Sequence, residues 1–167
     1  MAIDYFLNID NKKVKGDSKD QNHMDEIQVI SWNWGANNAG SFSVGSGGGA
    51  GKVSFQDFHF TMHPSQGTPS LLLHCAAGEH YDKAVLTARK SGGTKGSLPY
   101  MTITFSKLLI SSYQTGGSGG QEDMPVDSIS FNFANCFVKY IVQNDKGGKE
   151  SEHIFGWDLR ANKEWTA

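Results

Sequence analysis

Cysteine is almost absent: Cys75 and Cys136 are the only two in 167 residues. That excludes a disulfide-stapled scaffold. Both lie in apolar periodic segments, where a buried free thiol is the plain expectation. No run approaches the ~20 apolar residues that span a bilayer. No sign of charge dominates: 15 Lys and Arg stand against 17 Asp and Glu, a net charge of −2. This excludes a strongly basic nucleic-acid-binding domain and argues against a polybasic membrane binder. Charge of either sign is sparse, at 19% of residues, while glycine is abundant at 20. Little charge and much glycine point to a β protein with long loops, not to a helical bundle. The opening MAIDYFLNIDNKKVKG has no basic n-region, apolar core or small-residue cleavage site, so no signal peptide and a reducing cytoplasm are expected. The length fits one domain, residues 1–167, with a full hydrophobic core.

What is present is alternation. Ile3, Tyr5, Leu7 and Ile9 share a strand face, and only Phe6 breaks the pattern. Residues 14–25 are polar and read as a loop. Residues 27–35 form a second strand, with Ile30, Trp32 and Trp34 on one face and Ser31 and Asn33 on the other. A Gly, Ser and Asn-rich loop, 37–51, precedes a strand over 53–62. One helix follows, with Thr68 as N-cap, Pro69 at the first helical position and Gly78 as the stop. Its apolar stripe is Leu71, Leu72, Cys75 and Ala76. After a turn-rich stretch, strands are expected over 84–90, 100–112, 128–142 and 155–159. The phase blurs near Leu108 and shifts at Ala134–Asn135, which implies bulges or crossings between sheets. The fold class is therefore mainly all-β: a two-sheet β-barrel or sandwich with one short α-helix packed on its side.

Several patterns imitate chemistry. The run Gly45–Lys52 resembles a phosphate loop, but the positions are wrong and a strand follows instead of a helix. Gly116–Gly120 matches a nucleophile elbow by letters only, as any Gly-Ser linker would. His59 and His63 would sit about 13 Å apart along a strand, too far to chelate one ion. Asp10, Asp17 and Asp20 lack calcium-loop spacing and read as solvated. No catalytic residue, metal site or cofactor is expected. Trp32 and Trp34 could form a sugar platform, but beside Ile30 they read as core. Three strand faces are more unusual: Ser31/Asn33, Thr102/Thr104/Ser106 and Ser128/Ser130/Asn132 carry no charge. Solvated faces ordinarily carry Lys and Glu, so small neutral groups suggest a smooth wet wall such as a pore lining.

The order of motifs is itself informative. MAIDYFLNID, VKGDSKD, DEIQVISWNWG, GSGGGAGKVSFQDFHFTM, TPSLLLHCAAGEHY, AVLTARKSGG, TGGSGG, DSISFNFANCFVKY and FGWDLRAN follow one another over nearly the whole chain. Together they resemble the Hcp family, the haemolysin-coregulated proteins of bacterial type VI secretion. The resemblance implies a structural protein and not an enzyme. Six copies would form a ring, and rings would stack into a tube inside a contractile sheath, tipped by a spike protein. Effector proteins would be held in the lumen and exported with the tube, without a signal peptide. No nucleic-acid or membrane partner is implied. By family position Asn33, with Ser31, would face the lumen and its cargo. The loop 38–52 would reach the neighbouring ring through Ser41, Phe42, Ser43, Val44, Gly48, Gly49 and Lys52. The alternative from the residues alone is a carbohydrate-binding β-sandwich module. Trp165, near the end, fits either an interface or a loose tail.

Overall fold

Alternation becomes strand in the computed structural model, which describes residues 3–40, 51–90, 98–120 and 123–167. The strands are β1 (Ile3–Ile9), β2 (Ile27–Val29), β3 (Ser31–Asn33), β4 (Ala36–Asn38), β5 (Val53–Phe55) and β6 (Phe58–Met62). The helix α1 (Thr68–Ala77) follows, then β7 (His80–Lys90), β8 (Pro99–Gln114), β9 (Asp127–Asn132), β10 (Asn135–Gln143), β11 (Lys149–Asp158) and β12 (Lys163–Glu164). All pairing is antiparallel. One hydrogen-bonded path runs β12-β11-β10-β8-β7-β1-β2, and β3-β6-β9 joins it at β8; β4 and β5 form a separate ribbon.

Among the described residues the path is not closed by strand pairing. The chain itself crosses the gap at Ile30, where a strand expected over 27–35 changes partner. Leu7 pairs with Ile27 on β2, whereas Trp32 pairs with Phe60 on β6. Ile30 donates its N–H to the Thr61 carbonyl at 2.8 Å, and its side chain points out, 47% exposed. It does not share the face of Trp32 and Trp34. The strand expected over 53–62 likewise breaks, because β5 pairs with β4 and β6 with β3.

β8 ties the two halves together. Ser106 to Met101 pair with β10, and Leu109 to Gln114 pair with β9 on the same edge. The bend lies where the sequence phase blurs: Lys107 has φ 56, a left-handed conformation unusual for a residue with a Cβ, and the register slips between Ile110 and Ser112. The break expected at Ala134–Asn135 is the passage from β9 to β10, pinned by Ala134 N–H to the Ser106 carbonyl. β7 begins at His80 and β11 at Lys149, ahead of the starts expected at 84 and 155.

Aromatic rings fill the core. Phe105 lies 4.9 Å from Phe58, 5.2 Å from Phe131, 4.7 Å from Phe133 and 5.3 Å from Trp34 between ring centroids. Trp32 stacks on Phe58, so both tryptophans turn inward and offer no sugar platform. Phe6 is buried on the opposite face of β1. His23 stacks on it at 4.3 Å and the Arg89 guanidinium lies over it at 4.9 Å. The segment 10–26 is thus a packed strap and not a solvated loop: Val14 and Ser18 are buried, and Asp20 pairs with Arg89. Asp10 also has a structural role, accepting the N–H groups of Asp82 and Lys83.

The N-cap of α1 is Gly67, not Thr68, and no side chain caps it. The Thr68 hydroxyl instead accepts the Ser65 N–H. Gly78 ends the helix at φ 66, as its position predicts. The buried stripe is Leu71 with His74, while Leu72 and Leu73 are exposed. His74 stacks on the buried Tyr81 ring at 4.0 Å, and of the expected stripe Leu71 is buried and Cys75 packs against the core.

Candidate functional site

Strand register assembles the site. On the sheet β3-β6-β9-β8 the inward row is Trp32, Phe60, Ile129 and Tyr113. The outward rows follow by alternation. One is Asn33, His59, Ser130 and Ser112; the other is Ser31, Thr61, Ser128 and Gln114. None of the eight is Asp, Glu, Lys or Arg. Ser31 and Thr61 hydroxyls are 2.6 Å apart, and the Asn33 amide is 3.2 Å from His59 Nδ1. These two contacts tie side chains across β3 and β6. Its rim carries one carboxylate, Asp57, which accepts the Ser111 hydroxyl at 2.6 Å.

Of the residues singled out in sequence, Ser31 and Asn33 are exposed on this face, and Ser128 and Ser130 join them. Thr102, Thr104 and Ser106 do not. They lie on the other half of β8, between β7 and β10, where Thr102 pairs with Lys139 and Thr104 is buried. Sequence reasoning missed His59, Thr61, Ser112 and Gln114. Their own strands hint at outward positions, but only the register shows that they share a face.

Ser41, Phe42, Ser43, Val44, Gly48 and Gly49 lie outside the described residues. Lys52 lies within them, exposed beside β5 on the wall of a cavity of about 610 Å³. His59 and His63 do not converge: His63 Nδ1 is 2.9 Å from the Pro125 carbonyl oxygen. Among the described residues no group of three or more His, Cys, Asp or Glu is placed to hold a metal ion. No helix among them is long and apolar enough to cross a membrane. Burial pushes the Cys136 thiol up to about 11, which keeps it protonated and chemically quiet. The tail is ordered: Trp165 donates its N–H to the Gly156 carbonyl and sets its ring edge-on to Phe137.

The described residues thus form a bent antiparallel β fold with one flanking helix and an outer face of eight residues without Asp, Glu, Lys or Arg. Comparison with known proteins gives the family. Residues 6–140 match the family model described as type VI secretion system effector, Hcp. The chain is 44% identical over 163 residues to the Hcp1 protein of Pseudomonas aeruginosa, covering 97% of this chain and 98% of that one. A solved type six secretion system protein superposes with a TM-score of 0.89 at 26% identity, covering 98% and 100% of the two chains. Hcp1 from Salmonella typhimurium superposes at 0.79 with 29% identity and the same coverage. The chain belongs to the Hcp family of type VI secretion proteins.

Proposed function

We propose that this chain is the subunit of the type VI inner tube. Six copies close into a ring, rings stack, and the uncharged face of β3, β6, β9 and β8 lines the lumen. Asn33 and Ser31 then face effector proteins held for export. The observation that carries this reading is the eight-residue face without a formal charge. A conduit for varied protein cargo must stay wet and yet avoid fixing any one charge pattern. Hydroxyls and amides do both.

The edges of the same sheet support assembly. β3 pairs only with β6, and residues 110–114 of β8 pair only with β9, among the described residues. Unpaired strand edges are templates for another chain. Joining the β3 side of one copy to the β8 side of the next is a heterologous contact, which generates rings when its rotation closes. The loop 38–52, with Phe42 and Val44 as apolar anchors and Lys52 at its end, is assigned to contacts between rings. The sheath surrounds the stack and the spike protein tips it. The role is structural, with no catalytic step.

Light scattering during size exclusion, with negative-stain images, tests this. Six chains of 18.2 kDa give a particle of roughly 109 kDa with an open centre. A stable 18.2 kDa monomer at high concentration would overturn the reading.

A further inference from the structure

Charge is unevenly placed along β9. At its C-terminal end lies the 610 Å³ cavity, whose lining includes Lys52, Lys107, Arg160 and His80 over Phe133 and Leu159. Asp82 is the one carboxylate in that lining. Lys52, Lys107 and Arg160 form no ion pair among the described residues. Lys107 reaches the cavity from a backbone at φ 56, where glycine would be less strained. At the N-terminal end of β9 lies the opposite chemistry. Asp123 is exposed, and beside it Met124 is 61% and Val126 42% exposed. Asp17 shares a hollow with Met124, and His63 holds the Pro125 carbonyl, so this end is a supported knob and not a loose one.

We propose that the cationic cavity is the socket for the acidic knob Asp123–Val126 of a second copy of this chain, and that this contact joins one ring to the next. The inference rests on the ring reading above and names the surfaces that stack. The fit is chemical. Lysine and arginine of the socket meet the Asp123 carboxylate, and Phe133 and Leu159 receive Met124. A chain cannot fill its own socket, because the six residues of β9 separate the two ends by roughly 17–20 Å. Socket and knob therefore belong to different copies. The proposed ring closes through the side edges of this sheet, whereas socket and knob lie at opposite ends of one of its strands, so their contact extends a stack.

Two proteins with one accessible cysteine each test the contact, both in a Cys75→Ser background with Cys136 left buried: Val126→Cys in the knob and Asn132→Cys in the socket lining, which leave Asp123, Lys107 and Arg160 in place. Each is assembled separately, and the two are then mixed and mildly oxidised. Every copy in one ring carries the same cysteine, so only a contact between separately assembled particles can join position 126 to position 132. A covalent dimer should form in the mixture and not in either protein alone. It should be lost in 1 M salt, where the screening length is about 3 Å, and lost again when Lys107→Glu is added. If both proteins keep the mass of the hexamer and no dimer forms, the socket assignment is overturned while the ring stands. If both run as monomers, the ring reading and the stacking contact fall together.

Discussion

The carbonyl oxygen of Trp165 stands 1.7 Å from the point that a Cβ on Gly156 would occupy. The tail can lie across β11 only because position 156 has no side chain. Gly156→Ala should expel the tail, cost about 1–3 kcal/mol and shift Trp165 fluorescence toward that of a solvated indole. Deleting residues 163–167 should cost a similar amount. In that shortened chain Gly156→Ala should add little, because the two changes act on one contact. Additive losses in thermal unfolding would sink this account.

Acid sensitivity should concentrate in the strap. The Arg89 hydrogen bond holds the Asp20 carboxyl below its usual range. A carboxyl lowered in the folded state stabilises above its unfolded pKa, and that contribution disappears as pH falls below about 4. Asp20→Asn should lose about 1–2 kcal/mol at pH 7. Its stability should then change less than that of the parent chain between pH 4 and pH 2, as measured by urea unfolding.

Alkali should act at the foot of the helix. Asp127 is fully buried, and its Oδ2 accepts the Tyr113 hydroxyl while Oδ1 has no partner among the described residues. Burial, with this carboxylate beside it, pushes the Tyr113 hydroxyl up to about 12. The unfolded chain releases this proton first, so stability is present below about pH 10 and declines as pH rises toward 12. Tyr113→Phe should cost about 1–3 kcal/mol at pH 7 and flatten part of the alkaline decline. Some slope should remain, since burial also raises Tyr100 to about 12.

In the proposed ring, Asn33→Arg places six cations on the wall assigned to the lumen. Assembly should be untouched, because Asn33 is exposed and bonds only His59 across the strand pair. Co-purification of an effector should fall about tenfold, equivalent to ~1.4 kcal/mol. Unchanged retention by intact rings would remove Asn33 from the cargo surface.

The parts legible in sequence are those governed by one partner. Leu7 and Ile9 face the core as their alternation predicts, and Gly78 stops its helix by its own backbone freedom. Departures arise where a distant partner intervenes. Phe6 breaks the period because a polar strap, itself anchored by Arg89, covers the second face of β1. Ile30 turns outward because the chain leaves β1 for β6 at that residue. Neither event leaves a local trace. The uncharged face of β3, β6, β9 and β8 is similar. Missing charge marks Ser31 and Asn33 but marks Thr102 and Thr104 equally, and only pairing separates the two sets.

β8 has no half that can be lost alone. Its 16 residues serve β7 along one edge, and β10 then β9 along the other. Fraying the wall would therefore strip the second sheet as well. Amides from Ile103 to Ile110 should exchange with solvent only through opening of the whole fold, at one shared free energy. A chain built this way is either intact or gone, a property the proposed tube subunit would need if thrust from one end without softening in the middle.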